Sequence, residues 1–402
     1  MLKKLLKKLI PENLLRCYHL CLAFLGALIY RFPSKKIRII GVTGTSGKST
    51  VVELISFILQ ESGLKIASLS SVKFRIGAKE KENRLKMTMP GRFKLQKFLH
   101  QAAKEKCQYV MLEVTSEGIK QHRHRFIEFD TAVFTNLSKE HIESHKGFDN
   151  YKKAKARLFQ SCKKTHIINL DDKNSSFFWQ IPAQKKIGYG SADFSLLPKN
   201  PNLKGRFNLY NTAAAAKTAL HLGVSPEQCQ KALTKFPGIR GRMEIIIKKP
   251  FSVIVDYAHT PEQLKQVLKT ILSDKAEGSE IICVLGSAGG GRDKWKRPVL
   301  GKVACEYCSQ IIITNEDPYD EDPGRILAMI KSGILNSKFQ MSNFHEILDR
   351  RQAIRKALSL AKSNDTVIIT GKGSEPWMCI GGGKKIPWDD REITREEIKN
   401  TG

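Results

Sequence analysis

The first residues in the chain whose types and spacing could do chemistry are a lysine and a serine that close a glycine turn, in "GVTGTSGKST" at residues 41–50. Gly41, Gly44 and Gly47 permit a tight turn whose backbone N–H groups point at phosphate, and a helix starting beyond it adds its positive end. Lys48 would neutralise phosphate charge, and Ser49 would offer its hydroxyl to Mg2+. Val42 stands where the common GxxxxGK[ST] loop carries its first glycine, so the spacing departs from that loop. A second group is Glu113, closing the apolar run "CQYVMLEVTSEG", where a parallel sheet usually holds a catalytic or metal-binding carboxylate. A third is "HIESH", with His141 and His145 four apart near the expected end of the strand-like run "FDTAVFTNLSKEHIESHKG". Its glutamate is misplaced for the HExxH of zinc proteases. Magnesium beside a nucleotide suits His141 better than zinc does, against the plainer reading of a structural loop histidine.

These groups need elements to hold them. "KKIRII" before the glycine turn reads as a strand and "VVELISFILQ" after it as a helix. The alanine-rich "YNTAAAAKTALHLG" is a helix that closes a first domain near Pro237, and "GIRGRME" is linker plus strand. From Phe251 the strand-like runs "FSVIVDYA", "EIICVLG", "QIIITNE" and "DTVIITG" alternate with amphipathic helices, the signature of a parallel sheet. The expected fold class is therefore α/β: a P-loop ATPase domain with a central parallel-type sheet over 37–237, then a Rossmann-like α/β domain over 238–402. The reaction is expected in the cleft between the two.

The 402 residues exceed what one core usually holds. With 68 Lys+Arg against 39 Asp+Glu the formal charge is +29, which fits nucleic acid, an anionic membrane or anionic substrates. The basic residues are spread along the chain rather than blocked beside aromatics, which argues against nucleic acid. Nine cysteines scattered over this length point to a reduced, cytosolic protein without a disulfide framework. Cys305 and Cys308 form one CxxC without a second pair, and "GKVACEYCSQ" reads as a helix, so they are expected to be buried thiols. Residues 1–36 are the compositional outlier. Leu14 to Tyr30 contains Arg16 and His19 and falls short of the roughly 20 apolar residues of a clean span. Two readings stay open: an interfacial helix held by Lys3, Lys4, Lys7 and Lys8 against anionic lipid at the inner face of the membrane, or a helix docked on the body.

The stretches "GVTGTSGKST", "MLEVTSEG", "AVFTNLSKEHIESHKGFDNYKKAKARLF", "INLDD", "LKGRFNLYNTAAA", "GIRGRME", "DYAHTPEQL", "GRDKWKRPVLG" and "GKGSEPWM", in this order, resemble the Mur ligases, and among them the form that adds the third peptide residue in peptidoglycan synthesis. The resemblance implies an ATP-dependent amide ligase. ATP's γ-phosphoryl group moves onto a muramoyl-peptide carboxylate, and the incoming amine displaces it from the acyl phosphate, a chemistry of positioning and cation clamps. It implies that Gly44, Thr45, Gly47, Lys48, Ser49 and Thr50 bind ATP, and that Ser49, Glu113 and His141 hold two magnesium ions. Lys155 falls where the family has a carbamylated lysine, whose anionic oxygen attracts Mg2+ where an ammonium would repel it. Asn208 and Arg242 would contact ATP, with Asp256 and His259 lining the domain junction. Thr88, Thr115, Gln121 and Arg123 match positions that touch the muramoyl peptide. Arg292, Lys296, Asp317, Tyr319, Gly371 and Glu375 would face phosphate or the incoming amino acid. The expected protein is a cytoplasmic monomer.

Three departures stand out. Roughly 36 residues before the first strand are too few for the separate uridine-binding domain of the family. The diaminopimelate-adding enzymes carry Asp-Asn-Pro-Arg where this chain has Glu316-Asp317-Pro318-Tyr319. Ser374 and Glu117 stand where the family commonly has histidine. Competing readings are a ligase of the folylpolyglutamate or cyanophycin type, and a membrane-attached nucleotide-binding partner protein without activity, which need not keep Glu113, His141 and Lys155 together.

Overall fold

The computed structural model describes residues 11–85 and 87–401. Lys3, Lys4, Lys7 and Lys8 lie outside them. The chain divides into two compact units: Met1–Lys139, Phe148–Lys199 and Leu209–Phe236 form the first, and Glu140–Gly147, Asn200–Asn208 and Pro237–Gly402 the second.

In the first unit, helix α1 (Glu12–Ile29) follows Pro11 and stops where Arg31 and Phe32 turn left-handed ahead of Pro33. The branched apolar run after it becomes strand β1 (Arg38–Thr43), and the glycine turn leads into α2 (Lys48–Glu61). Strands β2 (Ile66–Leu69), β3 (Lys73–Ile76) and β4 (Lys79–Glu82) follow, then α3 (Arg92–Lys104), β5 (Tyr109–Glu113), the short α4 (Ser116–Lys120) and β6 (Thr131–Phe134). The sheet order is β4-β3-β2-β5-β1-β6 and then β7 (Thr165–Asn169) and β8 (Lys185–Tyr189), with only β3 and β4 antiparallel to their neighbours. Strand β1 pairs with β5 on one side and β6 on the other, Val42 opposite Glu113 and Thr43 opposite Phe134. Chain connections reverse direction here, and the carboxyl ends of such strands are where open α/β sheets bind ligands. Ile39, Val110, Leu112, Ala132, Phe134 and Ile168 belong to the core beneath, with Leu95, Phe98 and Leu99 of α3.

Short α5 (Ile142–His145) belongs to the second unit, whereas α6 (Phe148–Ser161) and α7 (Ser175–Trp179) belong to the first. Helix α8 (Arg206–His221) starts in the second unit and continues in the first, which α9 (Pro226–Lys235) completes. Ser225 caps α9 by accepting from the Gln228 N–H, a reciprocal capping box.

The second sheet runs, in chain order, through β9 (Glu244–Ile247), β10 (Ser252–Val255), β11 (Ile281–Leu285), β12 (Gln310–Ile313), β13 (Phe344–Glu346) and β14 (Thr366–Ile369). In space the order is β13-β12-β11-β14-β10-β9, parallel except for β9. Alternate residues serve opposite faces, as strand geometry requires. Ile254, Cys283, Ile311 and Ile368 pack with α10 (Pro261–Asp274), α11 (Lys296–Tyr307) and α12 (Pro323–Leu335). Val253, Ile282, Ile312 and Val367 pack with α13 (Arg350–Leu360) and α14 (Asp390–Thr401). A hairpin of β15 (Trp377–Cys379) and β16 (Lys385–Pro387) stands apart from this sheet.

Two expected extents are corrected. The strand expected to end near His141 and His145 stops at Phe134, because the chain then turns back over the glycine loop. The helix read across "GKVACEYCSQ" ends at Tyr307, and Cys308 takes an extended conformation leading into β12.

Candidate active site

In the first unit the glycine loop lies at the carboxyl end of β1, and the end of β6 fastens it. The Thr45 N–H donates to the Asn136 carbonyl at 2.9 Å and the Ser46 N–H to Asn136 Oδ1 at 3.0 Å. Asn136 Nδ2 and Thr135 Oγ1 donate back to the Ser46 carbonyl at 3.1 and 2.7 Å. Thr45 Oγ1 lies 3.1 Å from the Tyr151 hydroxyl and accepts from the Ser138 N–H at 3.0 Å. A Cβ on Gly44, at φ 155°, would stand 1.9 Å from Thr135 Oγ1, so only glycine permits this close approach. Gly47, at φ 80°, is the N-cap of α2 and has no side chain with which to cap it. The first-turn N–H groups at Lys48, Ser49 and Thr50 have no acceptor within the helix, which together with the helix dipole makes an anion site.

The charged groups converge on that loop. The Lys48 ammonium donates to the Thr45 carbonyl at 2.8 Å. Lys155, buried on α6, donates to the Gly44 carbonyl at 2.5 Å with its nitrogen 4.5 Å from the Tyr151 ring centre. Ser49 Oγ donates to Glu113 Oε2 at 2.8 Å, and the Ser71 N–H donates to the same oxygen at 2.9 Å. Glu113 is 3% exposed, so a serine hydroxyl and a carboxylate share a dry pocket beside the loop. Oxygen donors of this kind suit a hard cation such as Mg2+. The loop, the uncapped helix end and this oxygen pair fit a magnesium-bound nucleotide.

The first unit also holds a cationic group, Arg92 with Arg123. Arg123 donates to the Met89 carbonyl and, at 2.8 Å, to Gln121 Oε1, while Arg92 donates to the Gln121 carbonyl at 2.6 and 3.0 Å. Burial lowers the pKa of both guanidinium groups, and Arg123 lowers that of Arg92 further. Thr115 caps α4 by accepting from the Gly118 N–H at 3.1 Å. Thr88 is half-buried on the loop before α3.

The remaining expected residues belong to the second unit. His141 sits left-handed at φ 54° ahead of α5, in a loop that Asp293 fastens by accepting from the Ile142 and Glu143 N–H groups at 3.2 and 3.1 Å. His259 Nε2 lies 2.9 Å from Glu140 Oε1, and its Nδ1 lies 2.9 Å from the Tyr257 carbonyl. Lys296 is buried and donates to the His259 carbonyl at 2.9 Å; burial lowers its pKa, with Glu316 and Glu140 opposing. Asp256 accepts from the Met243 and Ala258 N–H groups, both at 2.7 Å, and burial raises its pKa against the neighbouring Arg242. The Arg242 guanidinium lies over the Tyr257 ring at 4.1 Å. Asn208 is buried and donates to the Lys204 carbonyl at 2.8 Å. Arg292 is exposed in the loop after β11.

A second cluster closes the carboxyl ends of β12 and β14. Lys372, fully buried, donates to Asp317 Oδ1 at 3.0 Å and to Glu375 Oε2 at 3.3 Å. Asp317 also accepts from the Cys379 N–H at 2.7 Å, and the Tyr257 hydroxyl donates to Glu375 Oε1 at 3.4 Å. Gly371, at φ 104°, leaves room for the Glu316 carboxylate, which a Cβ there would meet at 2.4 Å. Glu316 Oε2 is buried without a hydrogen-bond partner, and burial, then Asp317, raises the carboxyl pKa. Tyr319, at φ 55°, lays its ring against Gly290.

Residue spacing missed Arg92, Ser71, Thr135, Asn136, Tyr151, Glu140, Glu316 and Lys372. Thr135, Asn136, Glu140, Tyr151, Glu316 and Lys372 left a signal, as polar residues inside or beside the ordered motifs.

Residues 42–200 match the Mur ligase middle domain, and residues 241–373 match the Mur ligase, glutamate ligase domain. The UDP-N-acetylmuramoyl-L-alanyl-D-glutamate--2,6-diaminopimelate ligase of Syntrophomonas wolfei is 36% identical over 94% of this chain and 81% of its own length. The chain belongs to the Mur ligase family. As a Mur ligase it is an ATP-dependent enzyme, and the family implies ATP with Mg2+. The ligase of the same name from Aquifex aeolicus is 35% identical over 92% of this chain and 79% of its own. A solved structure of such a ligase superposes with a TM-score of 0.60 at 32% identity, covering 91% of this Mur ligase and 79% of that chain. Mycobacterium tuberculosis folylpolyglutamate synthase shares the fold, with a TM-score of 0.69 at 13% identity over 88% of this chain and 92% of its own. No helix among the described residues is long and apolar enough to cross a membrane.

Proposed function

We propose that this Mur ligase joins an amino acid to the carboxylate of a muramoyl peptide in peptidoglycan synthesis, acting as a cytoplasmic monomer. The observation that carries the reading is the convergence of the Lys48 ammonium, the Ser49–Glu113 oxygen pair and the buried Lys155 on one glycine loop. ATP supplies the phosphoryl group that turns the substrate carboxylate into an acyl donor. Around that chemistry the loop N–H groups and Lys48 bind and neutralise phosphate, and Gly44, Thr45, Gly47 and Thr50 shape the loop. Ser49 and Glu113 would hold one magnesium ion. Glu113 with His141 would also hold magnesium between ATP and the acyl phosphate, and Lys155 as a carbamate would offer it an anionic oxygen. A carbamate makes sense of a lysine that is 2% exposed: the modified group is an anionic oxygen donor rather than a buried cation.

Thr88, Thr115, Gln121 and Arg123, joined by Arg92, are assigned to the muramoyl peptide, whose carboxylates the paired guanidinium groups attract. Asn208, Arg242, Asp256 and His259 are assigned to the nucleotide. Arg292, Lys296, Asp317, Tyr319, Gly371 and Glu375 are assigned to the incoming amino acid. We take residues 37–237 as the ATP-binding domain, 238–402 as the ligase domain and 1–36 as an N-terminal segment that contains α1.

The relatives from Syntrophomonas wolfei and Aquifex aeolicus are named diaminopimelate ligases. For this chain we propose only weak preference for diaminopimelate over lysine. A guanidinium at the Tyr319 position would pair bidentately with the distal carboxylate, whereas a phenol donates one hydrogen bond. Losing one partner of a buried charge pair costs about 2–5 kcal/mol. Asp317 is already engaged by Lys372 and the Cys379 N–H. The test is phosphate release across a panel of amino acids with UDP-linked and lipid-linked muropeptides. Lysine and diaminopimelate should show similar kcat/KM. A large advantage for diaminopimelate refutes the selectivity, and no amino-acid-dependent release with any acceptor refutes the substrate class.

A further inference from the structure

Helix α1 has two unlike faces. Ala23 and Ala27 are buried, and Gly26 brings the helix close to Phe93 and Gln96 of α3, so one face is docked on the first unit. The other face carries Leu14, Cys17, Tyr18, Cys21, Leu25 and Leu28, which helical periodicity places on one side, and all are exposed. Leu14, Tyr18 and Leu28 are 62%, 58% and 50% exposed, more than a folded protein normally concedes in one continuous stripe. From Leu14 to Leu28 it runs about 21 Å along the helix. The helix is thus docked on the first unit and also presents an apolar outer face.

Beyond Glu12 at the start of α1, the charges on the two helices that carry and flank the stripe are of one sign. Residues 13–36 and 92–104 contain no aspartate or glutamate. Arg16, Arg31, Lys35 and Lys36 are exposed on or just after α1, and Lys94 and Lys97 are exposed on α3. The sequence before Pro11 alternates lysine pairs with leucine pairs, in "MLKKLLKKLI". Pairing the stripe with a second copy of itself would bring two such cationic rims together, so charge argues for an anionic partner. An apolar helical stripe of low curvature bordered by long cationic side chains fits a lipid surface: leucine and tyrosine enter the acyl boundary, and lysine and arginine reach the phosphates. Arg16 and His19 within the helix exclude a span, not an in-plane position.

We infer that the outer face of α1 and its basic rim dock this enzyme on an anionic bilayer surface. The inference goes beyond the ligase reading and uses none of its catalytic residues.

The test is co-sedimentation of the full chain with vesicles of phosphatidylglycerol and phosphatidylcholine, against phosphatidylcholine alone. Binding should require phosphatidylglycerol and weaken with salt. Leu25→Glu with Leu28→Glu should reduce binding about tenfold or more per leucine while leaving phosphate release in solution unchanged. Replacing Lys3, Lys4, Lys7 and Lys8 by glutamine should reduce it roughly fivefold per lysine. If the glutamate variant does not fold by circular dichroism, Leu14→Gln with Tyr18→Gln probes the same stripe. Full-length protein left in the supernatant at low salt overturns the inference. So does binding that survives the stripe variants, or a dimer abolished by them without any lipid binding, which would mean that a second copy covers the face.

Discussion

Replacing Asp390 by alanine should destabilise the second unit more than any other single change away from the candidate site. Arg350 and Asp390 are both fully buried, and they pair at 2.8 Å from Nε to Oδ1 and 2.7 Å from Nη2 to Oδ2. The guanidinium also donates to the Thr370 carbonyl at 2.7 Å and to the Asn315 carbonyl at 3.2 Å, so it ties α14 to the ends of β14 and β12. Asp390→Ala leaves a cation in the dry interior with only two neutral acceptors. Removing one partner of such a pair costs about 3–5 kcal/mol, against a total of about 5–15 kcal/mol for a domain. For a unit of roughly 180 residues, where each kcal/mol moves Tm by about 2–4 °C, the loss is about 6–20 °C. Differential scanning calorimetry measures it. The double variant Arg350→Ala with Asp390→Ala should lose clearly less than the sum of the single variants, because the second substitution removes the orphaned charge. Thr370 and Asn315 immediately precede Gly371 and Glu316, so KM for the amino acid should rise even well below Tm. A Tm shift under about 3 °C, or strict additivity in the double variant, would refute the reasoning.

Lys48→Ala and Glu113→Ala should each lower kcat by about a hundredfold or more, since each removes charge or cation binding where phosphoryl transfer is stabilised; near-normal turnover of either in a phosphate-release assay contradicts the mechanism. Lys155→Ala should lose activity and recover part of it with a short added carboxylic acid, which supplies the missing anionic oxygen; an unaffected variant contradicts the carbamate. His124 has its pKa pushed down to about 3 by burial, then by His122, Arg125 and Arg157. The unfolded chain therefore binds the extra proton below about 6.5, so stability contributed by neutral His124 is full above that pH and is lost as pH falls, by about 2 kcal/mol at pH 5. Urea titrations at both pH values measure it, and His124→Phe should flatten the dependence; an equally steep profile in that variant assigns the effect elsewhere.

The glycine loop and Glu113 were legible in the sequence because backbone freedom and strand ends leave local patterns: three glycines in seven residues, and an apolar run that stops at a carboxylate. The strands of the second sheet were legible for the same reason, being runs of Ile and Val too short for helices. What fastens the loop was not. Asn136 holds Ser46 across 90 positions, and no periodicity reports a contact made by the register of β1 against β6. The same limit hid Arg350 and Asp390, which look like surface residues at the starts of two amphipathic helices until α13 and α14 pack together. It also made the strand before His141 too long, since polar "TNLSKE" reads equally well as a continuing edge or as a return over the loop.

Segment Glu140–Gly147 lies between stretches of the first unit yet belongs with the second, as does Asn200–Asn208. The chain therefore passes between the units five times, and a single scission at Pro237 cannot yield two complete halves. A fragment starting there would lack Glu140, leaving His259 Nε2 without its carboxylate, and would leave the Asp293 oxygens without the Ile142 and Glu143 N–H groups they accept from. Recombination that swaps one unit between relatives must carry three separate stretches of sequence together, so a single crossover cannot exchange one unit whole.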